Sequence, residues 1–246
     1  MILQTTLPYD IHAPRPLPGI APLDEADWIR VDEAFGAQMA ERERLIAERR
    51  DAVIALDPSA AAMARELLDT VLAALDARAD FEIAGDVVTR PDGGKVRVVR
   101  EDPMATIGRL CQEDFCLMDK RGDEHVLVGA VLCFPAGWTL SEKFMRPLTR
   151  IHVPVDPYDE NIAKRVQRLF DGVRVGRPLW RFNALVYTDP SLHQPRPEGD
   201  RREKLGDDFL RSELQTVRRL PESGAVVFGI HTYVLDWRGK AAVPEA

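Results

Sequence analysis

Apolar residues recur three or four positions apart in the first third of the chain and two positions apart near its end, so helices are expected first and strands later. From Asp24, the residues Trp28, Val31, Phe35 and Met39 keep helical spacing. The stretch Glu41 to Asp51 mixes both signs and reads as the solvated continuation of that helix. Asp57-Pro58 announces a second helix, with an acceptor side chain at the N-cap and proline where its missing N–H costs nothing. Leu67, Leu68, Val71, Leu72 and Leu75 form its buried stripe.

After the turn signal Arg90-Pro91-Asp92-Gly93-Gly94 the pattern becomes that of strands, at Lys95 to Arg100 and His125 to Phe134. A helix from about Asp159 to Phe170 is expected from Ile162, Val166 and Leu169 or Phe170. It is followed by a strand from Leu179 to Tyr187 and by a polar, proline-rich loop from Asp189 to Arg202, expected to be mobile. The last 30 or so residues read as a hairpin around Pro221-Glu222-Ser223-Gly224. Without regular βαβ alternation this order predicts an α+β fold on an antiparallel sheet, in one domain over residues 1–246. Its parts are an extended arm (1–22) with Pro8, Pro14, Pro16, Pro18 and Pro22, a helical front end (23–90) and a sheet core (91–237).

Composition narrows the partners. A hydrophobic share of 45% with 30% charged residues suits a globular chain, and the net charge of -7 offers no field for a phosphate backbone. Neither nucleic acid nor a membrane is expected as a partner, since no run of about 18 apolar residues occurs. The opening residues lack a basic-then-apolar pattern, which makes a cytoplasmic protein the expectation. The cysteines Cys111, Cys116 and Cys133 lack Cys-x-x-Cys spacing and read as free thiols.

Candidate chemistry concentrates on the strands. Alternation places Arg211, Glu213, Gln215 and Arg219 on one face, interrupted by Val217, while Arg218 points the other way. Val226, Phe228, Ile230 and Thr232 alternate on the partner strand, so a pocket for an amphipathic ligand and a solvated outer face fit equally well. Arg181 and Asn183 alternate with Leu179 and Leu185; an arginine in that setting pairs with a carboxylate or phosphate, from the protein or from a ligand. Among the histidines, His12 and His193 fall in irregular segments, His125 begins a strand beside charges, and His231 points away from Phe228 and Ile230. His152 lies in the apolar run Ile151-His152-Val153-Pro154-Val155, read as extended, where an imidazole needs a specific partner: a core hydrogen bond or a metal.

One ordered set of motifs carries a resemblance: Arg90-Pro91-Asp92-Gly93, Gln112-Glu113-Asp114, Phe134-Pro135-Ala136-Gly137-Trp138 followed by Lys143, Ile151-His152-Val153-Pro154-Val155, Arg181-Phe182-Asn183, and Glu213-Leu214-Gln215-Thr216-Val217-Arg218-Arg219-Leu220-Pro221. Together they resemble the α-subunit-like family of haem-dependent oxidative N-demethylases. The resemblance implies a PAS-like antiparallel sheet around haem b, with oxygen-dependent removal of methyl groups from small secondary amines. It implies electrons from NADPH through a flavin and iron–sulfur partner. Carried over by motif, His152 is the iron ligand, with Cys133 as the thiolate rival, and Arg181, Asn183, Gln215 and Arg219 are cofactor-binding candidates. Ala184, Leu214 and His231 depart from the family's pattern, which has an aromatic residue at the first position and arginine at the other two, and are expected to reshape the pocket or the surface for a redox partner. A haem or small-ligand sensor and a cofactor-free structural subunit are the other readings of the same residues.

Overall fold

A computed structural model describes residues 1–13, 19–152, 160–200, 206, 208–240 and 243, with side chains at all of these except 152 and 160–164. The helical front end begins later than the apolar spacing suggests. Asp24 accepts a hydrogen bond from the Ala26 amide and closes a short 3-10 turn, and Asp32 does the same for Ala34, so α1 runs only from Phe35 to Glu48. Trp28 is buried nonetheless, packed against Phe115 at 5.5 Å. A single turn, α2 (Arg50–Val53), leads to strand β2 (Ile54–Leu56), which follows the two-residue β1 (Ala21–Pro22) in chain order. Asp57 caps the turn before α3 (Ala61–Asp76), whose buried stripe is Ala64, Leu67, Leu68, Val71 and Leu75.

Three short strands, β3 (Glu82–Ala84), β4 (Val87–Thr89) and β5 (Lys95–Arg97), make a small antiparallel sheet. Helix α4 (Pro103–Leu110) follows, with proline at its first position. The main sheet is then built from β6 (Asp114–Arg121), β7 (Glu124–Val131), β8 (Leu179–Tyr187), β9 (Phe209–Arg219) and β10 (Val226–Asp236). Its seven strands run in the order β1-β8-β9-β10-β6-β7-β2, each pair antiparallel. The β9–β10 hairpin turns through residues 221–224, with Gly224 at φ 71 where a side chain would be strained, and the Leu220 amide closing on Ala225 O at 2.8 Å.

Between β7 and β8 the chain inserts α5 (Leu140–Lys143), α6 (Leu148–His152) and α7 (Glu160–Gly172). The sheet is thus covered on both faces. One face carries the main core of α1, α3 and α4 residues with Phe115, Leu117, Val128 and Val227, extended near β8 by Tyr9, Ile11, Phe182, Leu214 and Tyr233. Cys116, Met118, Leu127, Ala130, Val217, Val226 and Ile230 on the other face pack with Leu140, Leu148, Phe170 and Val173 of the insertion.

At the amino end, Gln4 bonds β10 through both backbone and side chain, and Tyr9 stacks on Phe182 at 4.3 Å with planes 10° apart. Pro14, Pro16 and Pro18 of the expected arm lie outside the described residues. The loop after β8, expected to be mobile, is tied down over residues 191–198: Arg211 donates to Ser191 O, Leu192 O and Phe134 O, and Glu198 accepts from Lys143 and Arg150. Among the described residues no helix is long and apolar enough to cross a membrane.

Candidate functional site

Strand register assembles the site. Arg181 stands opposite Gln215, which stands opposite Ile230, and Asn183 stands opposite Glu213, which stands opposite Thr232. Leu179, Val217 and Phe228 form the next row, and Cys116 and Asp114 continue these rows onto β6. Because side chains on directly paired residues share a face, the polar set lies on the same side of the sheet as the apolar cluster beneath α5–α7. Of the two readings open in the sequence, a solvated outer face is excluded, since Glu213, Arg211 and Thr232 are buried and Arg181, Asn183 and Gln215 are partly so.

The polar members are linked. Asn183 Nδ2 and Gln215 Nε2 donate to Glu213 Oε2 at 3.0 and 3.1 Å, and Asn183 Oδ1 accepts from the Glu213 amide at 3.0 Å. This fixes both carboxamides around one carboxylate. Arg181 is different: its Nε is buried with no hydrogen-bond partner, and burial holds its guanidinium below the ordinary arginine value, partly offset by Glu213. Thr232 Oγ1 and Arg211 Nε are also buried without partners. Buried polar atoms are normally satisfied, by protein or by something bound. Arg181 Nε and Thr232 Oγ1, on the face that carries Phe228 and Ile230, suit a ligand with an apolar body and an anionic edge, while Arg211 lies further along β9 and spends its other donors on loop carbonyls.

Arg219 shares this face but is already committed. Its guanidinium donates to Val173 O, Phe170 O, Asp171 O and Gly224 O at 2.6–3.3 Å, closing the carboxyl end of α7 and the hairpin turn. Arg218, on the reverse face, lies over the Trp28 ring at 4.5 Å and pairs with Glu25 at 3.4 Å.

His152 is not a strand residue. It closes α6, and its side chain, with Val153, Pro154 and Val155, lies outside the described residues. The preceding carbonyl, that of Ile151, receives the Lys143 ammonium at 2.7 Å, and Ile151 itself packs in the cluster under the insertion. Lys143, buried at 4% exposure, is the site residue whose role the sequence did not disclose; its only signal was its place after the Phe134–Trp138 motif.

The other candidates separate by face. His125 accepts from Gln167 of α7 at Nδ1 (2.8 Å), and burial pushes its pKa down. His193, expected to be loosely held, donates from Nδ1 to Cys133 O at 2.8 Å, and its Nε2 is buried without a partner. Cys133 follows β7 instead of lying on it and packs in the core under α1, away from the Arg181 face; burial pushes its thiol up to about 12, which disfavours a thiolate. Glu113 and Asp114 act within the protein: Asp114 pairs with Arg42 at 2.6 Å and accepts from the Cys133 and Phe134 amides, and Glu113 accepts from His231 at 2.9 Å. The three departing positions do not share the Arg181 face. Leu214 pairs directly with Phe182 and His231, and Ala184 follows on the same reverse face under Tyr9.

Residues 19–245 match the family model described as haem-dependent oxidative N-demethylase, alpha subunit-like, and the chain belongs to that family.

Proposed function

We propose that this chain is the haem-binding, catalytic-type subunit of an oxygen-dependent oxidative N-demethylase acting on small secondary amines, built on a PAS-like sheet. The observation that carries the reading is the buried, unpartnered Nε of the partly buried Arg181, on the face that also carries Leu179, Val217, Phe228 and Ile230 beside the Asn183–Glu213–Gln215 cluster. A guanidinium there is costly unless an anion meets it, and its planar fork suits a carboxylate. Haem b presents such carboxylates at the edge of an apolar plate, so these residues fit it.

In this reading His152 holds the iron, Arg181 meets a propionate, and Asn183 and Gln215 set the donor pattern beside it. Arg219 contributes from the rim by fixing the end of α7. When bound, haem supplies reductive activation of oxygen, with electrons delivered from NADPH through a flavin and iron–sulfur partner. The chain's own task is to exclude water: Phe228, Ile230 and Val217 form the apolar wall, and α5–α7 cover it. Glu213 is flanked by Arg181 and Arg211, which keeps that end of the pocket from attracting a second cation and leaves amine selection to the apolar side.

Absorption spectroscopy of protein expressed with adequate haem supply tests this. A Soret band is expected, lost or shifted in ligation in His152→Ala, and Arg181→Met should release haem roughly tenfold faster or more, the scale of one charge-assisted hydrogen bond. Colourless protein that takes up no added haem would refute it. Bound haem without amine turnover, with an electron donor present, would identify a sensor instead.

A further inference from the structure

Lys143 ends α5 with its ammonium buried, an unusual place for a lysine. Its Nζ donates to Ile151 O at 2.7 Å and to Glu198 Oε1 at 2.6 Å. Glu198 is itself held, by Arg150 at 2.8 Å and through its own amide to the Glu142 carboxylate. The counter-charge is therefore fixed in place, and the ammonium bridges it to one particular carbonyl.

The base of Lys143 is equally fixed. Arg146 N–H donates to Lys143 O at 3.1 Å, Met145 N–H donates to Leu127 O at 2.8 Å, and Leu127 N–H donates to Arg146 O at 3.1 Å, so the segment after α5 is stitched to β7. Met145 sits there at φ 60, a left-handed conformation that a side-chain-bearing residue adopts only when its surroundings impose it. The lysine thus reaches from the sheet to the end of α6.

The carbonyl it reaches is shared with His152. The Ile151 C=O and the His152 N–H belong to one planar peptide unit, so anchoring that oxygen restrains the nitrogen and Cα of His152. At a helix carboxyl end such carbonyls lack an intrahelical donor, and a cation there is favoured by both hydrogen bonding and the helix dipole. The Ile151 N–H meanwhile donates to Pro147 O at 3.0 Å, fixing the peptide on its other side.

We infer that Lys143 is a positioning residue for His152: its ammonium sets the peptide that joins Ile151 to His152, and so the backbone position of the residue read as the iron's protein ligand. The inference rests on the reading of His152 as that ligand. Because Lys143 acts through the backbone of residue 152, its influence should vanish when the ligand is no longer attached to that backbone.

The test compares Lys143→Met in two haem-loaded backgrounds: the natural chain, and His152→Gly supplied with free imidazole as the iron ligand. In the natural chain, Lys143→Met is expected to change the spin-state bands and to speed haem transfer to an apoglobin acceptor roughly tenfold to a hundredfold, the size of one charge-assisted hydrogen bond. In the His152→Gly background with imidazole, adding Lys143→Met should change neither. Equal effects in both backgrounds, no effect in the natural chain, or a Lys143→Met chain that fails to fold with haem supplied would each overturn the inference. Failure of the underlying reading looks different: His152→Gly without imidazole would then keep the natural spectrum.

Discussion

At the scale of single residues, the most consequential group away from the Arg181 cluster is the Arg42–Asp114 pair. The Arg42 side chain is fully buried and spends its donors on Asp114, Gly108 O, Gln112 O and Glu113 O, while Asp114 also receives the Cys133 and Phe134 amides. The pair joins α1 to the start of β6 and to the end of β7, so removing one partner leaves the other charge buried and alone. Asp114→Ala should lower unfolding stability by about 3–5 kcal/mol in urea denaturation. Arg44→Ala, two positions along the same helix and paired with Glu41 and Glu48 at the surface, should leave the unfolding midpoint close to that of the natural chain. Comparable losses would mean that the buried pair has no special weight. The motif Gln112-Glu113-Asp114 was visible in the sequence, but its role was not, because the partner stands 72 positions away within a mixed-charge run that reads as solvated. Arg181 shows the same division. Period-two spacing placed it on one face with Leu179 and Asn183, while the lack of a partner for its Nε depends on the neighbouring strands.

At the scale of elements, the strands were more legible than the insertion between them. β8 and the final hairpin follow from alternation and turn chemistry, and α7 follows from Ile162, Val166 and Phe170. Ile151 and His152 close a helix although the run Ile151 to Val155 reads as extended, because β-branched residues and Pro154 dominate its local pattern. Proline disfavours helix in the residue before it, which suits a helix that closes at His152. What sequence could not supply is the way the insertion is fastened, because its clamps come from outside: Arg219 of β9 caps the carboxyl end of α7. Arg219→Ala should therefore cost about 1.5–3 kcal/mol and speed amide exchange in the last turn of α7. Arg218→Ala should leave α7 exchange unchanged, its loss of about 0.5–2 kcal/mol coming from the Trp28 contact on the other face. Unchanged α7 exchange in Arg219→Ala would show that the helix end does not depend on this clamp.

At the scale of the whole molecule, one buried histidine ties the amino end, α1, the start of β6 and β10 together. His231 donates from Nδ1 to Glu113 at 2.9 Å and from Nε2 to Asp32 at 3.0 Å, so both ring nitrogens carry protons and the ring is an imidazolium. Asp32 also accepts from Gln4 and Gln112, Gln112 donates to Gln38, and both Gln4 and Gln38 donate to Thr232 O. Arg30, through its amide to Glu113, and the Tyr233 ring at 4.6 Å complete the surroundings. Although burial opposes the charge, the hydrogen bonds and proximity of the two carboxylates outweigh it and raise the His231 pKa to about 9, while His231 and its other donors lower that of Asp32 to about 2. A raised folded-state value means that the contribution of His231 is complete below the unfolded value of 6.5 and is lost as pH climbs through about 9; that of Asp32 is complete above 3.8 and is lost as pH falls through about 2. His125, whose pKa is lowered, contributes in the opposite sense and only on the acid side of 6.5, and the buried thiols add to the alkaline loss only from about their ordinary value of 9.0. Between pH 6.5 and 9 the decline should therefore belong to His231, on the order of 2–3 kcal/mol. Melting temperatures of the natural chain should fall across that window, whereas His231→Gln, which has no proton to lose there, should start lower at pH 6.5 and run flat. A natural chain equally stable at both ends of the window, or a glutamine variant with the same slope, would show that the amino end is held by something other than this charged ring.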